Sequence, residues 1–160
     1  VPVLAIPENA IYRDFKKVTY TSDFKEIDFV AIEQLIEFLE PYKPEIKIIH
    51  ISTDDESRDK EKMEWFKELV NENFSYKNIS CELMLADKIH DRLNNYLNQY
   101  DCDLLGMLKK ERHGFVEKLF NEDLVSKMEF ETPVPLLSYN ELFLRVKEGY
   151  DIEENDSIEG

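Results

Sequence analysis

The chain has 160 residues, which is the usual size of one domain and enough to bury a substantial core. Its formal net charge of −15 opposes binding to a phosphate backbone, so no nucleic-acid partner is expected. The apolar runs are short, so no membrane partner is expected either. The two cysteines, Cys81 and Cys102, are interpreted as free thiols in a reducing cytoplasm.

The first predicted element is an apolar strand at residues 1–6, followed by a polar connection up to Phe15. A β-branched run at residues 17–21 predicts a buried strand. Asp23 is interpreted as the N-cap of the next helix, with Glu26 completing a capping box. Apolar residues at helical spacing then predict a helix that ends at Pro41, and its stripe consists of Ile27, Ala31, Leu35 and Leu39.

The middle of the chain repeats this alternation. Residues 45–51 predict a strand, and the helix after it is expected to bury Met63, Phe66 and Val70. Residues 80–85 predict the next strand, and Asp87 is expected to cap the helix that follows. The apolar stripe of that helix consists of Ile89, Leu93, Tyr96, Leu97 and Tyr100.

The last predicted elements are a strand at residues 103–108, a helix at residues 115–128 and a strand at residues 134–139. Strands that alternate with helices of this length predict parallel βαβ units with right-handed crossovers. The predicted fold class is therefore α/β, with an open five-stranded parallel sheet and helices on both faces. Residues 148–160 contain six acidic residues and no basic one, and we expect a disordered tail there.

The apolar run at residues 1–6 resembles the run at residues 134–139, and both have proline at the second position. We interpret them as the same strand of two successive repeats. The alternative is coincidence, because residues such as Val-Pro-Val-Leu are common in strands. The expected organisation is then the last strand of a preceding repeat at residues 1–7, one domain at residues 8–147, and the tail.

The sequence shows no recognisable nucleophile with its base, no metal-binding cluster and no pair of catalytic carboxylates. The chain is therefore not expected to be an enzyme. It lacks both standard phosphate-loop motifs, and the spacing of His50, His90 and His113 matches no metal motif. His50 is interpreted as a hydrogen-bonded core histidine. An open α/β sheet binds ligands beyond the carboxyl ends of its strands, and the candidate crevice residues there are Asp23, Lys109, Lys110, Arg112 and Gly114. The basic members of this set also fit a solvated turn.

Three segments carry a resemblance to a known family. Residues 16–24 read Lys-Lys-Val-Thr-Tyr-Thr-Ser-Asp-Phe, residues 101–107 read Asp-Cys-Asp-Leu-Leu-Gly-Met, and residues 112–137 end in Pro-Val-Pro-Leu-Leu. Their order and spacing resemble the universal stress proteins, over residues 15–139. The resemblance implies an adenine-nucleotide alpha-hydrolase-like fold. Since tandem members join one such domain to the next, it also implies that residues 1–6 are the fifth strand of a first domain.

Nucleotide-binding members of that family carry G-x-x-G-x9-G-[ST] after the fourth strand, which lets backbone amides approach the phosphates. The aligned positions in this chain all depart from the pattern: Leu108, Glu111, Asn121 and Glu122. Two carboxylates would face the phosphates, and each close charge pair costs on the order of 4 kcal/mol at an effective dielectric near 20. ATP and AMP are therefore not expected as cofactors.

The sequence thus predicts a non-catalytic domain that acts through association, as a homodimer or with a tandem partner domain. The partner is expected to bind at the fifth strand. This is an edge strand, and its unpaired backbone N–H and C=O groups can form hydrogen bonds with another strand. Its residues are Val134, Pro135, Leu136, Leu137, Ser138 and Tyr139, and the N-terminal residues expected to pair with them are Pro2, Val3, Leu4, Ala5 and Ile6. The alternative is a small-molecule sensor that binds a nucleotide or another anion at the candidate crevice. An enzyme of related architecture ranks last, because no phosphate site follows the first strand.

Overall fold

The computed structural model describes residues 2–109, 132–147 and 149. The helix predicted at residues 115–128 lies outside these ranges, as does almost all of the acidic tail. The described elements follow in chain order: β1 (Val3–Ala5), β2 (Lys17–Thr21), α1 (Glu26–Leu39), β3 (Glu45–Ser52), α2 (Glu56–Asn73), β4 (Ile79–Leu85), α3 (Ile89–Tyr100), β5 (Leu104–Lys109), β6 (Leu136–Asn140) and α4 (Glu141–Lys147).

The strands form one open sheet in the order β1-β6-β5-β2-β3-β4. All neighbouring pairs are parallel except β1 and β6, which are antiparallel. This confirms the predicted five-stranded parallel sheet with an added N-terminal strand. The strand order reverses at β2, which lies between β3 and β5, and a ligand crevice is expected at the carboxyl end of such a switch.

Two apolar cores lie on opposite faces of the sheet, so the prediction of helices on both faces is confirmed. The first core contains buried residues of α1, α2 and α4, including Leu35, Phe66 and Leu144. The second contains Leu93 and Leu97 of α3. None of the helices in the described ranges is both long and apolar enough to cross a membrane.

Both predicted aspartate N-caps are wrong. The N-cap of α1 is Lys25, because the chain turns at Phe24, whose φ of 56° lies in the left-handed region and separates Asp23 from the helix. The acid that accepts an amide at this helix start is Asp28, whose Oδ2 lies 3.1 Å from the backbone nitrogen of Lys25. The N-cap of α3 is Lys88 instead of Asp87, without a side-chain hydrogen bond.

Helix α4 is an element that the sequence did not predict. It has only seven residues, too few for a periodic apolar stripe to be recognised. Asn140 caps the start of this helix, because its Oδ1 accepts a hydrogen bond of 3.1 Å from the backbone nitrogen of Phe143. Leu144 then anchors the helix in the first core.

Candidate functional site

The first candidate site is the pairing of β1 with β6, which we call the seam. Its register places Val3 opposite Ser138, Leu4 opposite Leu137, and Ala5 opposite Leu136. The structure thus pairs the two similar segments within one chain. As a result β6 lies between β5 and β1 and is not the outer edge of the sheet.

The ends of the seam differ slightly from the predicted strand. β6 begins at Leu136 and extends to Asn140, so Val134 and Pro135 precede it. Pro135 still contributes through its carbonyl oxygen, which accepts a hydrogen bond of 2.9 Å from the backbone nitrogen of Leu105. On the other side of the seam, Pro2 and Ile6 flank β1.

The outer surface beside the seam is apolar. Val3 is 60% exposed, Ile6 is 65% exposed, and Ile11 and Tyr12 in the connection to β2 are more exposed still. A cavity of about 470 Å³ lies between this connection, the end of α3 and residues 133–135. Large apolar side chains grouped at a sheet edge are typical of a surface that contacts another protein.

Polar contacts hold the connection against the sheet. Arg13 Nη1 donates a hydrogen bond of 2.7 Å to Asp101 Oδ1, and this contact with the guanidinium lowers the pKa of the Asp101 carboxyl. Asp103 Oδ2 accepts hydrogen bonds of 2.9 Å from the backbone nitrogens of both Lys16 and Lys17. The start of β2 is therefore tied to the start of β5.

The second candidate site is the crevice at the carboxyl ends of the strands. Asp23 follows β2, and Lys109 ends β5. Because the parallel register pairs Thr21 with Met107, both residues belong to the same edge of the sheet. The other predicted crevice residues, Lys110, Arg112 and Gly114, lie outside the described residues.

The phosphate-loop positions are described only in part. Leu108 is buried in the first core, where its side chain packs among apolar neighbours. Glu111, Asn121 and Glu122 lie outside the described residues, so the expectation about the phosphate loop stays a prediction from the sequence.

A polar cluster around His50 lies at the same carboxyl ends. His50 Nδ1 is 2.7 Å from the carbonyl oxygen of Ser22 and 3.9 Å from Asp23 Oδ1. His50 Nε2 is 3.3 Å from Asp59 Oδ2 on α2. The prediction of a hydrogen-bonded histidine is confirmed, and in the described ranges no group of three or more histidine, cysteine or acidic side chains could hold a metal ion.

Asp59 is the member of this cluster that the sequence reading missed. It is buried in the first turn of α2, four residues before Met63 and seven before Phe66, on the apolar stripe of the helix. Burial acts to raise the pKa of its carboxyl, but the nearby polar side chains of Ser52 and His50 outweigh burial, and the pKa lies below its ordinary value of 3.8. An acid at an apolar stripe position was the signal that could have identified it.

Comparison with known proteins identifies the fold of this chain. No protein-family model matches the chain, and no curated protein matches it. Solved structures do match it. A universal stress protein from Archaeoglobus fulgidus DSM 4304 superposes with a TM-score of 0.61 at 18% identity, over 88% of this chain and 50% of the other. The fold is that of the universal stress proteins.

Two further universal stress protein structures share the fold and contain nucleotides. One, in complex with cAMP, matches with a TM-score of 0.58 at 10% identity and covers 81% of this chain and 99% of the other. Another, from Archaeoglobus fulgidus in complex with dAMP, matches with a TM-score of 0.52 at 14% identity and covers 78% and 99%. This chain spans half the length of the Archaeoglobus fulgidus DSM 4304 structure and nearly the whole length of these two.

Proposed function

We propose that this chain is a non-enzymatic domain of the universal stress protein family that acts through association at the seam. The observation that carries the proposal is the antiparallel register of β1 with β6, which joins two similar segments that lie far apart in the sequence. Under this proposal, β1 takes the place that the last strand of a second, equivalent unit would occupy, and that unit is either a tandem domain or another copy of the chain.

Two features support an association role. β1 has a strand neighbour on one side only among the described residues, so its other side presents backbone groups that another strand can pair with. The Archaeoglobus fulgidus DSM 4304 structure is about twice the length that this chain covers, which is the size expected of two such domains in one polypeptide.

The seam can be tested by disulfide formation in the double variant Val3→Cys/Ser138→Cys. These residues lie directly opposite each other, and opposed residues of antiparallel strands have Cβ atoms about 4.5–5.5 Å apart, near the range that a disulfide accepts. We expect rapid oxidation to a disulfide within one chain. Non-reducing gel electrophoresis after thiol alkylation measures the product, which should run at the mass of a single chain.

The matched control is Val3→Cys/Asn140→Cys, which moves the second thiol two residues along β6 and out of register. It should oxidise much more slowly. A product with the mass of two chains would show that β1 crosses to a second copy at the same seam. Equal oxidation of both double variants would contradict the pairing and, with it, the proposed function.

A nucleotide sensor is the second candidate function, and the cAMP and dAMP bound to similar folds favour it. In this chain such a ligand would lie in the crevice next to Asp23 and Lys109. The four altered phosphate-loop positions argue against a nucleotide sensor, because two of them carry carboxylates. Micromolar affinity corresponds to a binding free energy of only about 8 kcal/mol. Repulsion between two carboxylates and the phosphates at close range would remove most of that binding free energy.

Calorimetry separates the two candidates. We expect no saturable heat when ATP, AMP or cyclic AMP is added at millimolar concentration, because the sequence predicts that the carboxylates of Glu111 and Glu122 would repel the phosphates. Saturable heat would favour the sensor, and the variant Glu111→Gly/Glu122→Ser would then be expected to bind more tightly. Asp23→Asn should weaken binding if the ligand lies in the crevice.

A further inference from the structure

The two ring nitrogens of His50 both face hydrogen-bond acceptors. Nδ1 lies 2.7 Å from the carbonyl oxygen of Ser22, and Nε2 lies 3.3 Å from a carboxylate oxygen of Asp59. The ring also packs against Phe24, with ring centres 5.1 Å apart. His50 therefore connects three elements: the turn after β2, its own strand β3, and the first turn of α2.

This geometry requires a particular protonation state. A carbonyl oxygen only accepts, so Nδ1 must carry a proton. In a neutral imidazole Nε2 would then present a lone pair to the Asp59 carboxylate, which is repulsive. With both nitrogens protonated, each contact becomes a hydrogen bond, and the one to Asp59 is assisted by charge.

The charged groups around His50 come from each element packed against it. Asp23 follows β2, with its Oδ1 3.9 Å from Nδ1. Asp28 of α1 accepts the backbone amide of Asp23, at 3.3 Å. On α2 the groups are Asp59 and Lys62, and the positive charge of Lys62 also acts on Asp59. Among the described residues, the charged side chains nearest to the ring are thus carboxylates.

We propose that His50 is a proton-linked latch that holds the turn after β2 against α2. Protonated His50 closes the latch through Ser22 and Asp59, and neutral His50 loosens it because one of the two contacts turns repulsive. The latch lies at the carboxyl ends of the strands, so its opening changes access to Asp23 in the crevice. It is separate from the seam and does not rest on the proposed association.

The test is hydrogen exchange measured by NMR on the full chain at about pH 5.5 and about pH 8, the interval in which histidine side chains usually change charge. The reporters are two amides that the latch immobilises. Ser22 N donates to the carbonyl oxygen of Ile49, at 2.9 Å, and Asp59 N donates to that of Asp55, at 3.0 Å. We expect their protection factors, corrected for intrinsic exchange, to fall about tenfold at the higher pH, the loss expected when one hydrogen bond is broken.

His50→Gln removes the titrating ring, and its protection at these amides should be low at both pH values. His90→Gln is the matched control, because His90 lies on α3 with Asp91 Oδ1 3.6 Å from its Nδ1, and it should follow the parent chain. The ¹⁵N signals of His50 in the parent chain give a reading that needs no variant. They should show two protonated nitrogens at the lower pH and only Nδ1 protonated at the higher.

Three results would overturn the latch. The first is protection at Ser22 and Asp59 that does not change with pH in the parent chain. The second is a pH-dependent fall of equal size in His50→Gln. The third is a His50 ring that has one protonated nitrogen at both pH values.

Discussion

Replacing Phe66 with alanine is expected to lower the free energy of unfolding by about 4 kcal/mol. Phe66 is fully buried, and its ring centre lies 5.3 Å from that of Phe24 and 5.1 Å from that of Phe29. The substitution removes most of a large side chain and leaves a cavity between α1, α2 and the sheet. Urea denaturation followed by circular dichroism measures the loss.

Phe38→Ala is the matched control, because Phe38 lies on α1 and is 48% exposed. It should cost less than about 1 kcal/mol. Equal losses in the two variants would mean that the packing around Phe66 is looser than these contacts imply. Phe24 also touches the His50 ring, so Phe66→Ala should additionally lower hydrogen-exchange protection at the turn after β2.

The position of Phe66 could be predicted from the sequence, and so could most of the fold. Apolar residues at helical spacing identified the buried faces of α1, α2 and α3, since burial of one face and exposure of the other is a local property of the chain. The alternation of strands and helices along the chain then made it possible to predict a parallel sheet. Phe66 and Leu93 lie in the two cores where those stripes place them.

The helix starts could not be predicted in the same way. The pattern Ser22-Asp23 followed by Glu26 is typical of a capping box, but the left-handed conformation at Phe24 moves the start of α1 to a later residue. Backbone conformation of this kind depends on how the turn packs in three dimensions. It leaves no signature in a single sequence when the residue is not glycine.

The buried aspartates show a second limit of sequence reasoning. Asp28 and Asp59 each stand in the first turn of a helix on its apolar stripe, where a leucine would be unremarkable. Acids at helix starts are common, because they interact favourably with the helix dipole, and the sequence predicted no role for either aspartate. Their partners lie on other elements and become visible only when the sheet is assembled.

Replacing Asp28 with alanine is expected to lower the free energy of unfolding by about 3 kcal/mol, because buried donors would lose their acceptor. The Asp28 carboxylate is 1% exposed and accepts hydrogen bonds from the Tyr20 hydroxyl, at 2.9 Å, and from the backbone nitrogens of Asp23 and Lys25. Burial, and then the Asp28 carboxylate, raise the pKa of Tyr20 well above 10.0, so its hydroxyl keeps its proton at neutral pH.

Urea denaturation of three variants, Asp28→Ala, Tyr20→Phe and Glu37→Ala, separates the contribution of the Asp28 carboxylate to stability from that of the Tyr20 hydroxyl. Tyr20→Phe removes one donor and should cost about 1 kcal/mol, and Glu37→Ala, at an exposed acid of the same helix, should cost less than about 0.5 kcal/mol. Because the raised pKa of Tyr20 lies above 10.0, the stabilisation from its hydroxyl should be complete below pH 10 and should decline only as the pH rises further. If Asp28→Ala cost no more than Glu37→Ala, Asp28 would not organise the turn that carries Asp23 and Phe24, and the crevice would have to be positioned by His50 and Asp59 alone.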